Sequence, residues 1–273
     1  DVGVVCYERA AGRIRDERGG CAGADFMRSI VKTVELPTAL ASDNYILVFP
    51  GGGCPRYMTV EEVARCMGVD DCSPLMRMLS SPLLTPLQAL ACLGRGIHVG
   101  VARRVVHELV ARGLLRNGCR YGSACSGIDM FAAGVEAEVG TSWRYMFASE
   151  SCDRTRGALC SAWRCRGLAE VNCFTDAGSD AAASAVSVDL WVYTPSCESY
   201  SKRNRRRNAE RQRSCLSEIW QGLAYVRRQR PRVVIVENVC DASVTGALTG
   251  LLTRLHGYRL EAGPPDPRSI ACA

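Results

Sequence analysis

Apolar positions follow two rhythms along this chain. From about residue 120, short apolar runs alternate with stretches whose apolar residues recur three or four positions apart. Residues 118–124 read as a strand that enters a small-residue turn, Ser126-Gly127-Ile128-Asp129, before a helix-periodic stretch to Val139. Residues 143–148, 188–193 and 233–236 read as further strands, running into Glu150, Pro195 and Glu237-Asn238. Leu216, Ile219, Trp220, Leu223 and Val226 mark a helix over 214–228, and 247–255 reads as another. Strands alternating with helices predict an α/β fold whose mostly parallel sheet is flanked by helices. In such sheets ligands gather at the carboxyl ends of the strands, where Ser126, Glu150, Asp176, Pro195 and Glu237 fall.

The first part of the chain has another character. Residues 1–40 are polar and Gly-rich, with no clear period. Thr59-Val-Glu-Glu62 has the form of a capping box, followed by apolar residues at Val60, Val63, Ala64 and Met67. Further helices are expected from Thr85-Pro86 and over 101–114, after the turn Gly94-Arg-Gly-Ile-His98. The division expected is a small irregular region over 1–55 and one body over 56–273.

Composition narrows the class. The 273 residues are 47% hydrophobic, with no apolar run long enough to span a bilayer. No secretory leader is evident at the N-terminus. The 16 cysteines are scattered, none in CxxC spacing, and only 3 histidines accompany them. This reads as a soluble, reduced, intracellular protein without a metal site. The formal charge of +6 is concentrated. Lys202, Arg203, Arg205, Arg206, Arg207, Arg211 and Arg213 face only Glu210 within one run. Such a run is a solvated helix face, a localisation tag or a phosphate-binding stripe.

Two short segments carry candidate chemistry. In Thr194-Pro-Ser-Cys-Glu-Ser-Tyr-Ser201, a cysteine follows a buried strand and precedes the basic run, surroundings that favour a thiolate nucleophile. In Pro231-Arg-Val-Val-Ile-Val-Glu-Asn-Val239, a strand ends on a carboxyl group that burial would keep protonated.

Taken in order, these segments resemble the signature blocks of C5-cytosine DNA methyltransferases. Tyr193–Ser201 resembles the Pro-Pro-Cys-Gln-x-Phe-Ser block, and Glu237-Asn-Val239 the block that follows it. Ser123–Gly134 resembles the Phe-Ser-Gly-Ile-Gly block, Phe147-Ala-Ser-Glu150 the second and Phe174-Thr-Asp176 the third. Arg56–Gly68 and Leu93–Val99 resemble the ninth and tenth blocks, which here precede the first. The resemblance therefore implies a circular permutant, with 56–115 the displaced ninth and tenth part and 1–55 a small target-recognition region. It also implies a Rossmann-like class I methyltransferase fold of the seven-stranded type.

By the same resemblance, Cys197 would attack C6 of a cytosine flipped from the duplex, Glu237 would hold N3, and Asn238 would brace the nucleophile loop. S-adenosylmethionine, released as S-adenosylhomocysteine, would lie against Cys125, Ser126, Gly127, Ile128, Glu150, Ser151, Asp176, Ala177, Pro195 and Leu216. Arg95, Gly96 and Ile97 would approach its amino-acid end. Ser201, Lys202, Arg203, Arg205, Arg206 and Arg207 would grip the phosphates of double-stranded DNA. An RNA substrate, or a silent nucleic-acid-binding relative, are the alternatives. A nuclear location is implied for a eukaryotic source, and the cytoplasm or a host cell otherwise. Several positions depart from the family pattern. Ser196 and Glu198 replace proline and glutamine, Asp129 stands at a usual glycine, and Arg95-Gly96 replaces Asn-Ser. For the Gln-x-Arg-x-Arg block, Arg13-Ile-Arg15 is the one weak candidate.

Overall fold

The computed structural model describes residues 58–176, 184, 186–196, 219–220, 222–238, 246, 249–250, 253–255 and 257–259, plus the backbone of five strands within 3–57. Two compact units are present, Asp1–Ile97 and His98–Ala273. The division falls after residue 97. The segment resembling the tenth block therefore straddles it.

The first unit contains order that its sequence does not announce. Strands β1 (Gly3–Glu8), β2 (Arg13–Arg15), β3 (Cys21–Ala22), β4 (Asp43–Val48) and β5 (Arg56–Tyr57) form an antiparallel sheet in the order β3-β2-β1-β4-β5. The expected irregular region thus has a sheet at its centre. Three helices follow: α1 (Val60–Cys66), α2 (Pro74–Leu79) and α3 (Pro86–Leu93). The Thr59 capping box forms as read, Thr59 accepting from the Glu62 amide and Glu62 from the Thr59 amide. Thr85 makes a second such box with Gln88. Helix α2 was not anticipated. Its signals are a Ser73 cap and Pro74 at the first helical position, with Leu75, Met76, Met78 and Leu79 buried.

The second unit opens with α4 (Val99–Ala111) and then alternates β6 (Arg120–Ala124), α5 (Met130–Val139), β7 (Arg144–Ser149), α6 (Asp153–Trp163) and β8 (Cys173–Phe174). It continues through β9 (Leu190–Tyr193) and a helical stretch at 222–229 to β10 (Val233–Val236). All pairings are parallel, in the order β10-β9-β6-β7-β8. Two strands, β7 and β8, progress outward on one side of β6, and the chain then returns to build outward on the other side with β9 and β10. This is the order of a Rossmann-like doubly wound sheet, which opens a crevice where the direction reverses, here between the carboxyl ends of β6 and β9.

Packing explains the register. A bulge after Tyr121 shifts the β6–β7 pairing, so that Tyr121 lies beside Tyr145 but Gly122 beside Phe147. On one face Tyr121, Trp143, Tyr145 and Trp163 meet largely edge to face, with ring centroids 5.0–5.9 Å apart. On the other, Phe147 packs against Tyr225 within a cluster that includes Trp191, Tyr193, Ile219, Leu223 and Val234. A Cβ at residue 122 would fall 2.4 Å from the Phe147 ring, so only glycine fits. Helix α4 lies against α5, where a Cβ on Gly134 would approach Ala102 Cβ to 2.6 Å. Helix α6 was also missed by pattern, since its buried face mixes Thr155, Ala158, Leu159 and Cys160 with one large residue, Trp163.

Candidate functional site at the carboxyl edge of the parallel sheet

The crevice is built from strand-end residues tied laterally by hydrogen bonds. Beyond β6, the backbone at Cys125, Gly127 and Asp129 is left-handed, with φ of 54°, 54° and 51°. Two of these three residues carry side chains, a strained arrangement that persists only where its surroundings enforce it. The Ser126 amide donates to the Ser149 carbonyl at 2.9 Å, and the Gly127 amide to Glu150 Oε2 at 2.9 Å. The Glu150 amide donates to the Phe174 carbonyl at 2.9 Å. On the other flank, the Thr194 amide donates to the Ala124 carbonyl at 3.2 Å and its hydroxyl to the Cys125 carbonyl at 3.0 Å. The Glu237 amide donates to the Tyr193 carbonyl at 3.0 Å, and Asn238 Nδ2 to the Pro195 carbonyl at 3.2 Å.

These bonds bring Cys125, Ser126, Gly127, Ile128, Glu150, Pro195, Glu237 and Asn238 to one edge of the sheet. Asp176 and Ser151 are exposed just past β8 and β7 at the same edge. Ser126 and Ile128 turn inward: both are buried, and the Ser126 hydroxyl is shared with Ser123 Oγ at 2.6 Å and the Ser149 carbonyl at 3.2 Å. What the turn offers a ligand is therefore mainly backbone, at Gly127, beside whose Cα there is open space. Glu150 is held by two amides, Gly127 on one oxygen and Cys152 at 2.8 Å on the other. The second oxygen also accepts from the Ser151 hydroxyl at 3.4 Å, so Oε2 is the one that retains a lone pair for a further donor. Ser149 Oγ is buried with no protein partner among the described residues. An open backbone cradle and an anchored carboxylate fit a hydroxyl-bearing adenosyl ligand.

Glu237 combines two properties. Its residue is exposed, yet surrounding protein desolvates the carboxyl and pushes its pKa above the ordinary value. A raised pKa suits a carboxyl group to hold a proton.

A feature that sequence reading missed lies beneath the turn. The Asp129 carboxylate, 5% exposed, accepts from Tyr121 Oη at 2.8 Å, from Tyr145 Oη and from the Ala132 amide at 3.0 Å. Tyr145 Oη also meets Ser123 Oγ at 2.6 Å. Burial pushes the Asp129 pKa up while these hydrogen bonds pull it down. Burial, reinforced by the Asp129 charge, keeps both phenols protonated. The sequence signal was Asp129 itself, a polar residue at a position where the resembled pattern has glycine.

Cys197, Ala177, Leu216, Ser201, Lys202, Arg203, Arg205, Arg206 and Arg207 lie outside the described residues. Arg95, Gly96 and Ile97 belong to the first unit, following α3. Among the described residues no cluster of His, Cys, Asp and Glu could hold a metal ion, and no helix is long and apolar enough to cross a membrane.

No family model and no curated protein matches the sequence. Among solved structures, TrmN from Thermus thermophilus aligns at 14% identity and a TM-score of 0.40, over 63% of this chain and 44% of that one. The chain thus spans less than half of that protein's length. PH1948 from Pyrococcus horikoshii, a proposed RNA methyltransferase, aligns at 13% identity and a TM-score of 0.38, over 69% and 80% of the two chains. Likenesses this distant transfer no activity, and the chemistry rests on the site itself.

Proposed function

We propose that this chain transfers a methyl group from S-adenosylmethionine to C5 of cytosine in DNA, through a covalent adduct with Cys197. The observation that supports it most is the meeting of two half-sites from distant parts of the sequence. The Gly127–Glu150 cradle and the Pro195, Glu237 and Asn238 group occupy adjacent strand ends across the crevice. A cofactor and a base bound there would face each other.

S-adenosylmethionine would supply the electrophilic methyl group, held by the Gly127 backbone and the Glu150 carboxylate at its ribose hydroxyls. The Cys197 thiolate adds to C6, and Glu237 gives its proton to N3, so no full negative charge builds on the ring. C5 then takes the methyl group. Loss of the C5 proton and breaking of the C6–S bond restore the ring, and N3 returns its proton to Glu237. Asn238 keeps the segment before Cys197 in register through the Pro195 carbonyl. The basic residues from Lys202 onward would contact phosphates, with salt-dependent affinity.

The same chemistry on RNA is the second reading, since none of the described site residues tells deoxyribose from ribose. The deciding experiment offers duplex DNA and RNA, each carrying 5-fluorocytosine, with S-adenosylmethionine. Fluorine cannot leave as a proton does, so a working nucleophile stays attached. An adduct on DNA that disappears in Cys197→Ala supports the proposal, and one on RNA alone moves the substrate. No adduct on either polymer, with the cofactor bound, leaves a silent binding protein.

A further inference from the structure

Asp129 lies where a glycine would satisfy the left-handed backbone without strain, and the chain instead places a carboxylate there, in the interior. Three donors converge on it: two phenols and the first-turn amide of α5. Among the described residues, the groups that govern its ionisation are hydroxyls and an amide. A buried carboxylate held by hydroxyls and an amide is expensive to keep charged and invites a use.

Its location suggests that use. From Tyr145 the hydrogen bonds continue through Ser123 Oγ to Ser126 Oγ, and so to the turn whose outer side is the Gly127 cradle. Tyr145, Ser123, Ser126 and Asp129 are all buried, so the medium between the carboxylate and the turn is dry and screens charge poorly. We propose that Asp129 is a specificity-determining charge beneath the turn, which makes the site prefer an adenosyl ligand carrying a positive centre over its neutral counterpart. For the reaction above, that is a preference for the sulfonium of the methyl donor over the thioether left after transfer. Release of the product would thereby be eased. This rests on the adenosyl-binding reading of the crevice.

The plain alternative is that Asp129 only caps α5 and holds the turn. Affinities of three probes separate the two roles: S-adenosylmethionine (a sulfonium), sinefungin (an ammonium at the corresponding position) and S-adenosylhomocysteine (neutral). Each is titrated calorimetrically into the full chain and into Asp129→Asn, which keeps an αL-tolerant residue and an oxygen for the Ala132 amide. The expected result is that both cationic probes weaken on the order of ten-fold relative to the neutral one. Equal weakening of all three, or an unchanged ratio, overturns the inference and leaves adenosyl binding intact. Failure of the unaltered chain to bind any probe sinks the adenosyl reading and the inference with it. Asp129→Gly, which suits a φ of 51° without strain, provides a second charge-free variant should the amide destabilise the fold.

Discussion

Asn238 Nδ2 donates a hydrogen bond to the carbonyl of Pro195 at 3.2 Å, joining the end of β10 to the segment that leads into Cys197. The two residues are neighbours because β10 and β9 pair in parallel, with Val236 opposite Tyr193. Asn238→Ala is expected to lower the methylation rate roughly ten- to hundred-fold by letting the nucleophile drift from its attack position. Affinity for S-adenosylmethionine should stay unchanged. Single-turnover rates beside calorimetry check the split, and a loss confined to cofactor affinity contradicts it.

Glu237 carries a pH signature of known sign. Its carboxyl titrates near 4.5 in the unfolded chain and higher in the native one. Between those values the native state holds more protons, so stability falls as pH rises through the window. Glu237→Gln removes the desolvated charge and should melt slightly above the parent at pH 7.5. The gain should shrink toward pH 4, where both forms are neutral. Methylation by the same variant should fall by at least about a hundred-fold, the usual contribution of a positioned proton donor. Melting curves at the two pH values and an activity assay test both halves.

At Gly127 nothing obstructs a side chain, so any cost of substitution comes from its φ of 54°. Gly127→Ala should cost about 1 kcal/mol, and Gly127→Asn less, because asparagine tolerates this conformation. Denaturant unfolding gives the order, and alanine equal to glycine would be the wrong result.

Gly134 poses the opposite problem, since its contact with Ala102 and the Arg103 backbone leaves no room for a methyl group. Gly134→Ala should destabilise the α4–α5 pair by about 1–3 kcal/mol despite alanine's better helix propensity. A denaturation midpoint at or above the parent's would show that the helices separate without penalty.

Much of the local structure is legible in the sequence of both units. β10 occupies the residues its β-branched run marks, and the Thr59–Glu62 box starts α1 as its spacing requires. β6, β7 and β9 begin up to two residues later than read, at Arg120, Arg144 and Leu190. The misses share a cause. α6 offers a weak apolar stripe, and the antiparallel strands of the first unit lack the polar–apolar alternation of half-buried sheets. The resemblance implies a sheet of the seven-stranded type, and the described residues form five parallel strands.

What the chain determined by itself is local: periodicity, capping and turn chemistry act across a few residues, so β10, α1 and α3 follow from their own segments. It also placed Glu150, Pro195, Glu237 and Asn238 at strand ends, because those ends are where apolar runs stop. Tertiary structure decided what depends on residues far apart in the chain. The bulge that sets Phe147 against Gly122 needs two strands. The left-handed backbone at Cys125 and Asp129 runs against local preference and is held by bonds from Ser149, Thr194, Tyr121 and Tyr145. Desolvation at Asp129 and Glu237 arises only when distant segments close around them, since the energy of a charge is set by its surroundings rather than by its neighbours in sequence.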